Sequence, residues 1–125
     1  MRGIVVLSAA IWLAFAPAFA RTPAERGWNT YLAGRHAEAW RELKPLADQG
    51  DASAQYYVGS LYQPGLEKAL EAYKWFELAA RASHPSGAQN RDRLVERLNS
   101  QELRQAKAMA DAWQPPAGNV GKSPP

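Results

Sequence analysis

The stretch from Gly50 to Ala80 limits this chain more than any other. It reads GDASAQYYVGSLYQPGLEKALEAYKWFELAA. Asp51 follows a glycine and precedes a run of helix formers, so its carboxylate is placed to accept from the free amides of a first turn and to suit the positive helix end. Ala54, Val58, Leu61 and Tyr62 recur at spacings of three and four, which sets them on one apolar face. Gly59 falls beside that stripe, where a glycine commonly lets a neighbouring backbone approach. Pro64-Gly65 ends the helix, because proline cannot continue the hydrogen-bond ladder. A second helix is predicted from about Glu67 to Ala82, with Ala69, Ala72, Trp75 or Phe76, Ala79 and Ala80 as its stripe. Small residues alternating with large rings suit two closely packed helices.

The same pattern occurs upstream. Ala39 to Gly50 ends in Leu46-Ala47 and a glycine, and Ala72 to Ser83 carries Ala79-Ala80 at the matching offset, 33 residues later. A period of about 20–50 residues is the mark of stacked repeats. Ala54-x-x-x-Val58-Gly59-x-x-Tyr62 followed by Ala72-x-x-Trp75-x-x-x-Ala79-Ala80 resembles the Sel-1-like repeat, a relative of the tetratricopeptide repeat. Tyr31-Leu32-Ala33-Gly34, Ala37, Ala39 and Leu46-Ala47-Asp48-Gln49-Gly50-Asp51 look like a first, divergent copy. The likeness runs from about Ala24 to Trp113, its last part (Asn90-Arg91-Asp92 through Ser100-Gln101-Glu102 to Ala110-x-x-Trp113) being similar to the helical end-piece of small bacterial proteins of that family. Two departures stand out: the link Gln63–Leu66 is shorter than the family's Gly-x-Gly loop, and Ser83 replaces the closing glycine.

The expected fold is therefore all-α. It is a short α-solenoid of antiparallel helix pairs, about two repeats (24–50 and 51–83), with a C-terminal capping helix pair at about 87–113. Thr22-Pro23 with Glu25 opens a first helix to about Ala33, with Trp28, Tyr31 and Leu32 on its buried side and Gly34 as its stop. The next runs from about Arg35 to Gln49, and Pro45 inside it predicts a kink or a lost hydrogen bond at Arg41. Ser83-His84-Pro85-Ser86-Gly87 reads as a break. Helices from Ala88 to Leu98 (Leu94, Val95 and Leu98 apolar) and from Gln101 to Trp113 follow.

The ends of the chain read differently. Met1–Ala20 has a basic start at Arg2, an apolar run and an Ala18-Phe19-Ala20 finish, the pattern of a secretory signal peptide cut between Ala20 and Arg21. The alternative is an anchor left in place, which would make the protein a membrane-tethered regulator; the apolar run is shorter than the ~20 residues that span a bilayer. Cleavage leaves 105 residues and removes one positive charge, taking +3 to +2. With no cysteine, an exported domain of this size has to be held by packing alone. Gln114–Pro125 carries four prolines and two glycines and is expected to be disordered.

No residue set reaches a catalytic motif. His36 and His84 are the only histidines and lack ligand spacing, so cap-forming or solvated roles are expected, with no metal and no cofactor. The serines lack an elbow context. Glu38/Glu42 and Glu67/Glu71 are pairs of the kind helix surfaces carry routinely. Arg91, Arg93, Arg97 and Arg104 are interleaved with Asp92, Glu96 and Glu102, which argues against nucleic acid. The expected function is binding: an exported periplasmic or secreted module docking another protein or peptide, or a second copy of itself, on a concave face of first helices carrying Ser53, Tyr56, Ser60, Gln63, Glu25 and Asn29. The family resemblance implies scaffold or adaptor roles in the bacterial envelope. Tyr56 is the central candidate, and packing of its ring against the next helix is the competing expectation.

Overall fold

The computed structural model describes residues 21–62 and 66–116, and every regular element among them is a helix. In chain order these are α1 (Pro23–Leu32), α2 (His36–Asp48), α3 (Ala52–Tyr62), α4 (Leu66–Arg81), α5 (Pro85–Val95) and α6 (Ser100–Ala112). The expected signal segment with Ala20, the turn at 63–65 with candidate Gln63, and most of the Pro/Gly-rich tail lie outside the described residues.

Local chemistry accounts for where each helix starts. Thr22 and Glu25 form a reciprocal cap at α1, with proline at the first helical position. The Ala54 amide donates to Asp51 Oδ1 at 2.8 Å ahead of α3. Asn99 and Glu102 repeat the reciprocal cap at α6. The segment 83–87 corrects the expected break: α5 begins inside it, three residues early, because His84 Nδ1 accepts from the Gly87 amide at 3.2 Å and Pro85 fits the first helical position. Pro45 does not end α2, and it is exposed.

Three helices stop in one way. The amides of Gly34 and Arg35 donate to the carbonyls of Tyr31 and Thr30 at 2.9 and 3.2 Å. Those of Gly50 and Asp51 donate to Ala47 and Leu46 at 3.0 and 3.1 Å. Those of Ser83 and His84 donate to Ala80 and Ala79, both at 2.9 Å. This paired closure needs a left-handed residue, and Gly34, Gly50 and Ser83 have φ of 85°, 98° and 67°. A side chain there is strained by about 1–2 kcal/mol, while glycine brings about 0.5–1 kcal/mol of extra unfolded-state freedom. Ser83→Gly is thus expected to raise stability by roughly 0.5–1 kcal/mol, read as a higher urea midpoint at unchanged slope.

Consecutive helices pack together from α1 to α5, α1 also touches α3, and α6 lies on α4. Both C-terminal helices rest on α4 and hardly touch each other. One apolar cluster holds Ala24, Leu43, Ala47, Ala54, Val58, Trp75, Leu78 and Ala110. The other holds Ala72, Tyr73, Phe76, Leu94 and Ala106. Helix α4 serves both, which explains why Tyr73 and Leu78, off the expected stripe, are buried. Its half-buried Glu77 accepts from the Tyr73 hydroxyl at 3.1 Å and pairs with Arg91 of α5 at 3.3 Å and with Arg81, which also binds Asp111 of α6. Burial, then the Glu77 charge and hydrogen bond, pushes the Tyr73 phenol up to about 12.

Two apolar expectations are corrected. Leu32 is 65% exposed and Val95 37% exposed. Helix α1 instead buries Ala24, Gly27 and Thr30: α2 comes so close that a Cβ on Gly27 would lie 2.7 Å from Leu43, and only small residues fit that seam. At Gly59 the close neighbour is the Phe76 ring, 2.8 Å from a would-be Cβ, rather than a backbone.

Candidate binding face

Trp28 and Tyr31 are three residues apart on α1, so their side chains leave one face. Tyr56 and Tyr57 are adjacent on α3, where they point about 100° apart and cannot both enter one core. Helix α1 touches α3, and this contact joins the two pairs. Trp28 stacks on Tyr57 with centroids 4.9 Å apart and planes 9° from parallel, and on Tyr31 at 4.9 Å and 21°. Tyr31 stacks on His36 at 4.6 Å. Tyr57 leans on Tyr56 at 5.4 Å, and Tyr56 stacks on His84 at 4.9 Å. Six rings thus form a continuous ladder from the start of α2, over α1 and α3, to the cap of α5. All but the exposed His36 are half-buried.

The stacking decides what the ladder can hold. Trp28 is covered on both faces, so a flat ligand has no open face of it to stack on. What remains are ring edges and the grooves between them, which take apolar side chains and backbone polar groups. A recess of about 340 Å³ opens beside the ladder, lined by Arg21, Glu25, Trp28, Asn29 and Tyr57. A recess of about 490 Å³ lies between α1 and α2. Its polar groups are already engaged: Thr30 donates to Glu42 Oε2 at 3.1 Å, and Arg35 pairs with Glu38 at 3.3 Å.

Of the expected binding residues, Asn29 and Glu25 line the ladder's recess, with Glu25 also tied into the α1 cap at 2.9 Å from the Thr22 amide. Ser53 and Ser60 are half-buried on α3, and the Ser60 hydroxyl donates to the Tyr56 carbonyl at 3.0 Å. Tyr56 is half-buried, its ring 5.9 Å from Phe76 of α4 as well as against His84. It is a rung of the ladder rather than an isolated exposed ring. Trp28, Tyr31, Tyr57, His36 and His84 are the rungs that sequence reasoning missed; Trp28 and Tyr31 read as core from their spacing, and the histidines as cap-forming or solvated. The signal available was the Tyr56-Tyr57 pair itself.

Burial, then the charges of Glu25, Tyr56 and Asp51, raises the Tyr57 phenol above its ordinary value. Burial lowers the His84 imidazole, opposed by Asp51. His84 caps α5 through a neutral Nδ1, and a proton there would destroy the cap and face the positive end of the helix. A histidine with a depressed folded pKa binds its proton less readily than the unfolded chain does. Its stability contribution is complete above the unfolded value of about 6.5 and is lost as pH falls below it. Urea stability is expected to drop on acidification through this range. His84→Asn, which keeps a capping oxygen, is expected to remove that component of the drop.

Among the described residues no group of three His, Asp or Glu side chains is placed to hold a metal ion, and no helix is long and apolar enough to cross a membrane. No protein-family model, curated protein or solved structure matches the chain.

Proposed function

We propose that this chain is an exported helical-repeat interaction module without catalysis, docking an extended peptide segment of another protein along its aromatic ladder. The observation that carries the reading is the ladder itself: six rings from four helical segments, all half-buried but the exposed His36, beside a recess with Arg21, Glu25 and Asn29 to orient a peptide backbone. A binding face dominated by Trp and Tyr fits the residue types that carry most binding energy in protein interfaces. The repeat reading, a short α-solenoid of about two Sel-1-like units, is supported by the matching closures at Gly50 and Ser83, 33 residues apart. On this reading α1 and α3 are the first helices of successive repeats, which agrees with their direct contact. The Ala18-Phe19-Ala20 finish of the leading segment supports export to the periplasm or beyond, with a scaffold or adaptor role in the envelope. If residues 1–20 are retained, the same module acts as a membrane-tethered regulator, and N-terminal sequencing of the exported protein separates the two.

The test is selection of short peptides from a displayed library on immobilised chain, followed by affinity measurement with Trp28→Ala and Tyr57→Ala. Each variant is checked for helicity first. Enriched peptides are expected to lose roughly tenfold or more in affinity, as for loss of a hot-spot ring. If folded variants bind as the parent does, the ladder is not the docking face.

A further inference from the structure

We propose that the recess between α3, α4 and α6 is a second binding site, taking one apolar residue of a partner's peptide chain whose backbone N–H donates to Gln55 Oε1. It shares no lining residue with the recess beside the ladder, so it stands whether or not the ladder docks peptides.

The recess holds about 340 Å³. That is the small end of the roughly 300–1,000 Å³ range of ligand pockets, and it suits one large side chain with its peptide groups. Of the residues that line it, Gln55, Leu78 and Ala110 are buried, Trp113 is half-buried, and Arg81 and Ala82 are exposed, so it runs from the surface to the core.

Its polar end is Gln55, which is 2% exposed. The Gln55 Nε2 donates to the Ala47 carbonyl at 3.3 Å, which pins the end of α2. Its Oε1 is buried with no hydrogen-bond partner among the described residues. Turning the amide over brings no relief, since Oε1 would then face the Ala47 carbonyl, acceptor against acceptor. A clamp on α2 therefore accounts for the nitrogen and leaves the oxygen over. A buried acceptor without a donor is costly, and native structures seldom keep one.

Charge sets the character of the ligand. Arg81 is the charged residue that lines the recess, and its guanidinium already pairs with Glu77 and Asp111. No charge is left there for a ligand to neutralise, so the donor belongs to a neutral group. The amide of a peptide residue meets that condition, and it also brings an apolar side chain to set against Leu78, Ala110 and the Trp113 ring. Trp113 is the wall that moves. It follows the last residue of α6 with its backbone extended, at φ −70° and ψ 136°. Turning its ring opens the way to Oε1, which lies out of solvent's reach.

The probe is N-acetyl-leucine methylamide, a single apolar residue with both its peptide groups, titrated into the isotope-labelled chain. The readout is the indole N–H signal of Trp113, with that of Trp28 as reporter for the ladder. The expected result is a saturable shift of Trp113 and none of Trp28. Affinity is expected to fall roughly tenfold or more in Gln55→Met, which keeps the size and loses the acceptor, and in Ala82→Leu, which fills the exposed side. Should Gln55→Met fail to fold, Ala82→Leu decides, because Ala82 is exposed. The same probe with both amide nitrogens methylated is expected to leave Trp113 unmoved. No saturable shift of Trp113 overturns the proposal and leaves a water as the partner of Oε1. Full affinity in folded Gln55→Met overturns it, since Oε1 then plays no part, and full affinity in Ala82→Leu overturns it as probe binding elsewhere. A shift of Trp28 in place of Trp113 overturns it too and leaves the ladder reading standing.

Discussion

Replacing Trp75 with alanine is expected to unfold the chain under conditions where the parent is folded. Trp75 is 1% exposed and sits in the cluster that gathers residues of α1, α2, α3, α4 and α6. Lys74 Nζ and Lys44 Nζ lie 4.6 and 5.3 Å from its ring, so the indole also holds two ammonium groups over the edge of the core. Truncating so large a buried ring costs about 3–5 kcal/mol. A small domain with no disulfide has about 5–15 kcal/mol at most to lose, and this chain is short. Far-UV circular dichroism across a urea titration is the measurement. A midpoint within the range of ordinary surface variants would show that the core closes around the hole. Trp75→Phe provides the control: the indole N–H is buried with no hydrogen-bond partner among the described residues, so removing it relieves a cost that offsets part of the lost volume.

Gly87→Ala is expected to be the second most damaging change, at about 2 kcal/mol, for one added methyl group. Its Cβ would lie 2.8 Å from that of Ala79 and 3.2 Å from both the Ala80 nitrogen and the Phe76 carbonyl oxygen. Two of those three neighbours are the backbone of α4, which cannot swing aside, so α5 has to lift away. Gly59→Ala makes an equally short contact, but with the Phe76 ring, which can shift, and alanine recovers about 1 kcal/mol of helix propensity there. The two variants should therefore separate clearly in urea titrations. Native-state hydrogen exchange on Gly87→Ala should show lost protection in α5 before the rest. If Gly59→Ala proves the worse, the backbone contact between α4 and α5 is looser than the geometry describes.

Helix ends were legible because the groups that make them are neighbours in sequence. Thr22-Pro23 with Glu25, Asp51 before Ala52, Asn99 with Glu102, and the glycines at 34 and 50 each act within five residues. His84 was harder, since a histidine cap competes with the reading of His-Pro-Ser-Gly as a loop. The closure at Ser83 was legible only by its 33-residue distance from Gly50. Burial was less so. Leu32 has the periodicity of a core residue and faces water, while Gly27 and Thr30 are buried because α2 crosses α1 too closely for anything larger. The ladder was hardest, as its rungs come from α1, α3, the first residue of α2 and the cap of α5, and no local pattern records that Trp28 meets Tyr57 between α1 and α3. Asn29 adjoins Trp28 and Tyr56 adjoins Tyr57 in the chain, but which rings meet depends on the angle between α1 and α3.

The double duty of α4 sets a timetable for folding. During synthesis, residues 21–62 emerge well before Trp75 and Leu78, and those in turn before Ala106 and Ala110, which complete the two clusters. The first three helices supply Ala24, Leu43, Ala47, Ala54 and Val58, and the residues that complete their cluster, Trp75, Leu78 and Ala110, come later in the chain. Both clusters are complete only when the last helix is in place, since Ala110 closes one and Ala106 the other.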